Sequence, residues 1–189
     1  MKLIRKLQYN SPVVLSFALL SLMELFLSRL TGGVSTRLLF SVYRSSLLDL
    51  LTYPRFFLHV LGHINYSHYI GNMLLLLVIG PPMEEKYGSR HILFAFAATA
   101  LVSGLVQFIF FPDTYLLGAS GIVFMLIVLS SFAGMKNGRI PVTLILVLVL
   151  YIGREVVDGL DKLDNISQLT HVVGGVCGAV IGFLPARRR

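Results

Sequence analysis

Gly118-Ala119-Ser120-Gly121 opens directly onto the apolar run Ile122-Val123-Phe124-Met125-Leu126-Ile127-Val128-Leu129, which stays free of charge to residue 133. As a helix, 118–133 is about 24 Å long at ~1.5 Å per residue, somewhat short of a hydrocarbon layer of ~30 Å. Its small-residue end therefore lies below the membrane surface. A serine flanked by glycines there leaves its hydroxyl and the neighbouring backbone N–H groups open to an incoming carbonyl, as a nucleophile requires. Small residues in membrane helices mostly serve close packing, so the motif alone does not decide the matter. What other residues share its depth does.

The composition calls for a membrane. Hydrophobic residues make up 56% of the 189 positions and charged residues only 13%, against about 25% charged in soluble domains. Mean hydropathy is +0.80. The net charge of +7 does not point to nucleic acid, because the basic residues sit at the ends of apolar runs, where they report topology. Cys177 is the single cysteine, set in an apolar glycine-rich run. It is expected to fill space and has no partner for an intrachain disulfide.

Six apolar spans are expected, at about 12–30, 66–83, 91–111, 118–133, 140–153 and 168–184. The first follows Lys2, Arg5 and Lys6 and is read as retained, with Glu24 facing the bundle interior. The second is expected to stop at Gly80-Pro81-Pro82 and the charged Glu84-Glu85-Lys86. The connection 31–65 mixes Arg37, Arg44, Asp49 and Arg55 with apolar clusters such as Phe56-Phe57-Leu58, which suits a segment lying partly in the membrane interface. Ten of the 16 Lys and Arg residues fall on the side of the termini, so both termini are expected in the cytoplasm.

With this topology the second, fourth and sixth spans run in the same direction, and their first turns hold the polar residues. His68 and Asn72, spaced i and i+4, share one helix face. Ser120 opens the fourth span, and His171 lies about one turn into the sixth. Gly174, Gly178 and Gly182 form a doubled Gly-x-x-x-Gly series that lets another helix backbone come close, bringing His171 as general base to Ser120 as nucleophile. His68 and Asn72 are neutral donors placed to stabilise an oxyanion. His63, just before the second span, is read as organising its loop, and His59 and His91 as surface or interface residues. Asp158, Asp161 and Asp164 belong to a solvated loop and are not read as a third member. No His-Glu-x-x-His series occurs, and no metal is expected.

These residues resemble the rhomboid family of intramembrane serine proteases. The shared features are His63-x4-His68-x3-Asn72, Glu84-x3-Gly88-Ser89, Gly118-Ala119-Ser120-Gly121 and His171-x2-Gly174-x3-Gly178, covering about residues 50–184. The resemblance implies an all-α, six-transmembrane-helix rhomboid-like bundle in one membrane domain over 1–189. It also implies a Ser120–His171 dyad without an aspartate, and an oxyanion hole formed by Ser120 and neighbouring backbone with help from His68 and Asn72. No cofactor is implied. The chain departs from the family at two places. Tyr53-Pro54-Arg55 stands where many members have a Trp-Arg pair, and Phe124 stands where many have a tyrosine beneath the histidine ring.

The expected activity is endoproteolysis of transmembrane segments near the outer face, within a multi-pass protein of a bacterial-type plasma (inner) membrane. Its partners would be transmembrane protein substrates and the lipid bilayer. A helix hides its scissile carbonyls, so substrates are expected to carry helix-weakening Gly or Pro near the cut. The competing expectation is a catalytically inactive rhomboid-fold protein that binds membrane clients, against which the presence of both Ser120 and His171 argues. A transporter would need polar residues along a whole path, whereas here they gather near one face.

Overall fold

A helix apolar on every side has to be surrounded by other elements, and residues 121–129 are all buried. They belong to α6 (Ser120–Ala133), around which α4 (Tyr66–Tyr87), α5 (Ser89–Phe110) and α7 (Asn165–Gly182) pack. α1 (Pro12–Leu30) lies against α4. The computed structural model describes residues 8–133 and 165–182, the side chains of 165–169 aside, and positions 139, 141, 142, 145, 146 and 149. Of the expected fifth span, Pro141 is half-buried and Val142, Ile145, Leu146 and Val149 are helical and exposed; the rest of it, and the loop with the three aspartates, lie outside the described residues.

Among the described residues, α1 and α5 are long and apolar enough to cross a membrane. α6 and the segment Thr170–Gly182 of α7 are shorter apolar helices. The first helix has the expected limits, and Glu24 is buried in the bundle, accepting a 2.6 Å hydrogen bond from Thr36 Oγ1. The third and sixth helices begin two and three residues earlier than expected, at Ser89 and Asn165. The fourth begins two residues later, because Gly118 takes a φ of +122° that no helix contains.

Pro81 and Pro82 do not end α4, which runs on to Tyr87. Each proline removes one backbone N–H, yet packing on both sides of the pair holds the helix together. Gly80 lies so close to α1 that an added Cβ would meet Val14 Cγ2 at 2.8 Å, and Met83, Glu84 and Tyr87 are buried. The Glu84 carboxylate accepts hydrogen bonds from Val13 N–H at 3.0 Å and Val14 N–H at 2.9 Å. With Pro12 in the first turn lacking an N–H, this satisfies the start of α1. Two residues on, the Lys86 ammonium donates to the carbonyl of Ala133 at the end of α6, where a cation complements the helix dipole.

The connection 31–65 is itself built, with α2 (Val34–Leu38), strand β1 (Val42–Tyr43), α3 (Thr52–Leu58) and a 3-10 turn at His59–Leu61. β1 pairs antiparallel with β2 (Tyr115–Leu116) of the α5–α6 connection, Val42 opposite Leu116. Arg55 anchors the connection without any tryptophan. It is buried, donating from Nε to the Leu38 carbonyl at 2.8 Å and from Nη1 to Asp49 at 3.1 Å, with its guanidinium 4.6 Å from the centre of the Tyr43 ring. Tyr53 stays exposed, its hydroxyl on the Leu47 carbonyl.

Candidate active site

Ser120 is the first residue of α6, at a turn fixed from behind. The Gly118 N–H donates to the His59 carbonyl at 2.9 Å, and the His59 imidazole bonds through Nε2 to the Ala100 carbonyl of α5 at 3.0 Å. The turn is thereby tied to α5 through one residue. His59 is 1% exposed, which corrects its reading as a surface or interface residue. It lies in the 3-10 turn, where Val60 is buried beside it, and no periodicity in the sequence marks that turn.

The first turn of a helix leaves N–H groups without intrahelical partners. In α6 the first backbone bond across the junction is Val123 N–H to the Ala119 carbonyl, at 2.9 Å. Among the described residues, the N–H groups of Ser120, Gly121 and Ile122 make no backbone bond. They stand beside the half-buried Ser120, free to meet a negative oxygen.

α7 reaches this end of α6 through its glycines. A Cβ added at Gly174 would lie 2.2 Å from the Gly121 carbonyl oxygen, and one at Gly178 would lie 2.4 Å from that of Met125. At Gly182 it would meet the Phe132 ring at 2.8 Å. The approaches at Gly174 and Gly178 bring backbone onto backbone, with Gly174 next to the residue that follows Ser120. His171, one turn before Gly174, stacks its ring on Phe124 with centroids 4.8 Å apart and planes 14° from parallel. Phe124 lies four residues after Ser120 and so on the same face of α6. Cys177 packs partly buried against the core.

His68 comes to the turn from α4. Its Cε1 and Nε2 lie 2.8 and 3.0 Å from where a Cβ on Gly118 would be, so that glycine gives the imidazole room as well as supplying the positive φ. Asn65 caps α4, its side chain accepting from His68 N–H at 2.8 Å, a role that an Asn at the start of a helix signals. Asn72 is buried on the same face as His68 and donates to the His68 carbonyl at 3.2 Å. His63 is also buried, with Nδ1 3.0 Å from the Leu61 carbonyl and its ring edge-on to His68 and Tyr69, centroids 5.0 and 5.5 Å away. Burial lowers the pKa of His59 to about 4. It does the same for His63, with the neighbouring His68 adding to the shift. Among the described residues, no three His, Cys, Asp or Glu side chains group as a metal site would need.

The Rhomboid domain family model matches residues 51–188. The chain is 24% identical over 177 residues to Rhomboid protease GluP of Bacillus subtilis, a match spanning 89% of this chain and 34% of that protein. It is 26% identical over 185 residues to Rhomboid protease GlpG of Pectobacterium atrosepticum, spanning 93% and 63% respectively. To Rhomboid-related protein 2 of Mus musculus the identity is 28% over 142 residues, spanning 68% and 47%. The chain thus spans between about a third and two thirds of the length of these curated relatives. A helical bundle with a serine at the mouth of its central helix and a histidine on a glycine-packed neighbour is the class of protein defined here. The chain belongs to the rhomboid family.

Proposed function

We propose that this chain is an intramembrane serine endopeptidase, acting through Ser120 and His171 on transmembrane segments near the end of the bundle where α6 begins. It would lie in a bacterial-type plasma membrane as a six-span protein with both termini in the cytoplasm. The observation that carries the reading is the approach of α7 to α6 at Gly174 and Gly121, with the His171 ring stacked one turn below Ser120.

In the reaction the Ser120 hydroxyl attacks the scissile carbonyl while His171 takes its proton. The carbonyl oxygen becomes an oxyanion that the N–H groups at the start of α6 stabilise, with His68 and Asn72 as neutral side-chain donors. His171 then protonates the departing amine as the C–N bond breaks, leaving an ester on Ser120. Water, deprotonated by His171, cleaves that ester and restores the serine.

The test is labelling of the purified protein by a fluorophosphonate serine-hydrolase probe, alongside cleavage of a model transmembrane peptide. Ser120→Ala is expected to abolish labelling and cleavage, and His171→Ala to abolish cleavage. The double variant is expected to be hardly worse than either single one, because the pair acts as a unit. Labelling or turnover retained by a folded Ser120→Ala protein would overturn the assignment.

A further inference from the structure

Membrane proteins carry fewer basic residues in the loops on their outer side, yet the connection 31–65, at the Ser120 end of the bundle, contains Arg37, Arg44 and Arg55. Two of these are engaged by the fold. Arg55 is buried on Leu38, Asp49 and Tyr43, as described above. Arg44 donates to the Phe108 carbonyl at 2.6 Å and the Ile109 carbonyl at 2.8 Å, satisfying the end of α5. Arg37, on α2, is exposed, and its guanidinium makes no hydrogen bond or ion pair among the described residues.

Arg37 lines a cavity of about 680 Å³. One wall carries Thr36 and Arg44, the other Asp113, Thr114 and Leu117. Leu117 immediately precedes Gly118, so the cavity borders the turn that holds Ser120. The β1–β2 pairing joins the two walls.

We propose that this cavity receives an acidic side chain of the substrate, an Asp or Glu on the solvent side of the cut, with Arg37 as its counter-charge. This rests on the protease reading and adds a substrate preference to it. Two guanidiniums against one carboxylate leave the cavity cationic, and the fork of Arg37 matches a carboxylate in a bidentate pair. Asp113, also in the lining, repels an anion, so a carboxylate there is held by the guanidiniums. A chain running to Ser120 passes Leu117, which favours a substrate segment over a lipid phosphate as the occupant.

The experiment uses the full chain in vesicles of neutral lipid and a single-span substrate with one Glu or one Lys at each of six positions on the solvent side of the cut. At one or two adjacent positions, Glu is expected to give a kcat/KM about two- to fivefold above Lys at low salt, as for an exposed ion pair. The contrast should shrink at high salt, and Arg37→Glu should invert it. Equal rates for Glu and Lys, or a preference unchanged in Arg37→Glu, overturn the site while cleavage itself leaves the protease reading standing. Absence of both cleavage and serine-probe labelling sinks the protease reading, and the substrate site falls with it. A loss in Arg37→Glu that is equal for both substrates and confined to vesicles containing anionic lipid would assign the cavity to a lipid phosphate and overturn the proposal.

Discussion

His171 lies flat on Phe124, the two ring planes only 14° from parallel. The contact fixes the plane of the imidazole through its ring face, which makes no hydrogen bond. Such a pair contributes ~0.5–1.5 kcal/mol beyond its buried area. Phe124→Ala is therefore expected to lower kcat by up to about tenfold with KM nearly unchanged, and Phe124→Tyr to keep most of the rate. Initial rates on a model substrate at several concentrations check this; an unchanged kcat in Phe124→Ala would remove the stacking from the mechanism.

His68→Ala and Asn72→Ala are expected to lower kcat by about one to three orders of magnitude while Ser120 still reacts with the probe, since an oxyanion donor acts on the transition state without making the nucleophile. His68 contacts the Gly118 turn directly, whereas Asn72 bonds within its own helix in this structure. The His68 variant should accordingly be the weaker enzyme. Wild-type rates in both would take α4 out of the chemistry.

Gly178→Val should be far more damaging than Cys177→Val. A Cβ at 178 would lie 2.4 Å from the Met125 carbonyl oxygen, a clash of backbone with backbone that only a shift of α7 relieves. Cys177 is already a side chain against the core, and the added volume is small. Thermal midpoint and peptide cleavage of the two variants give the comparison, and equal losses would contradict the packing argument.

Stability should fall between neutral pH and about pH 4. His59 and His63 are held neutral in the folded chain with pKa values of about 4, against ~6.5 in an unfolded chain. Between those values the unfolded state binds the extra protons, so acidification favours unfolding, by about 3 kcal/mol per histidine at the bottom of the window. Above pH 6.5 neither histidine contributes. Thermal midpoints at pH 7, 5.5 and 4.5 should fall in that order, and less steeply for His59→Gln; an equally steep fall in the variant would clear His59 of responsibility.

The parts of the fold that follow from short-range chemistry were legible in the sequence. The limits of α1 follow from the basic–apolar–polar order, and the small residues at 174, 178 and 182 already announced a close helix approach. Long-range contacts were not legible. Pro81 and Pro82 are strong local stop signals, and only the burial of Gly80, Met83 and Glu84 against neighbouring helices overrides them. His59 looked like one polar residue in an apolar cluster because its partner, the Ala100 carbonyl, lies 41 positions away. Arg55 could not be seen as an anchor without β1 and the end of α2 folded beside it.

The carboxylate of Glu84 meets the first turn of α1 across 70 and 71 positions of chain. On a ribosome the chain emerges from its N-terminus, so α1 is made long before the group that completes it. Until residue 84 has been added, the N–H groups of Val13 and Val14 must be met by water or lipid headgroups, which keeps that end of α1 at the membrane surface. The arrival of Glu84 then draws α1 and α4 together while α5, α6 and α7 are still to be made, and biogenesis of the bundle acquires an order: the start of α1 waits for the end of α4, and the central helix is added to a pair already joined.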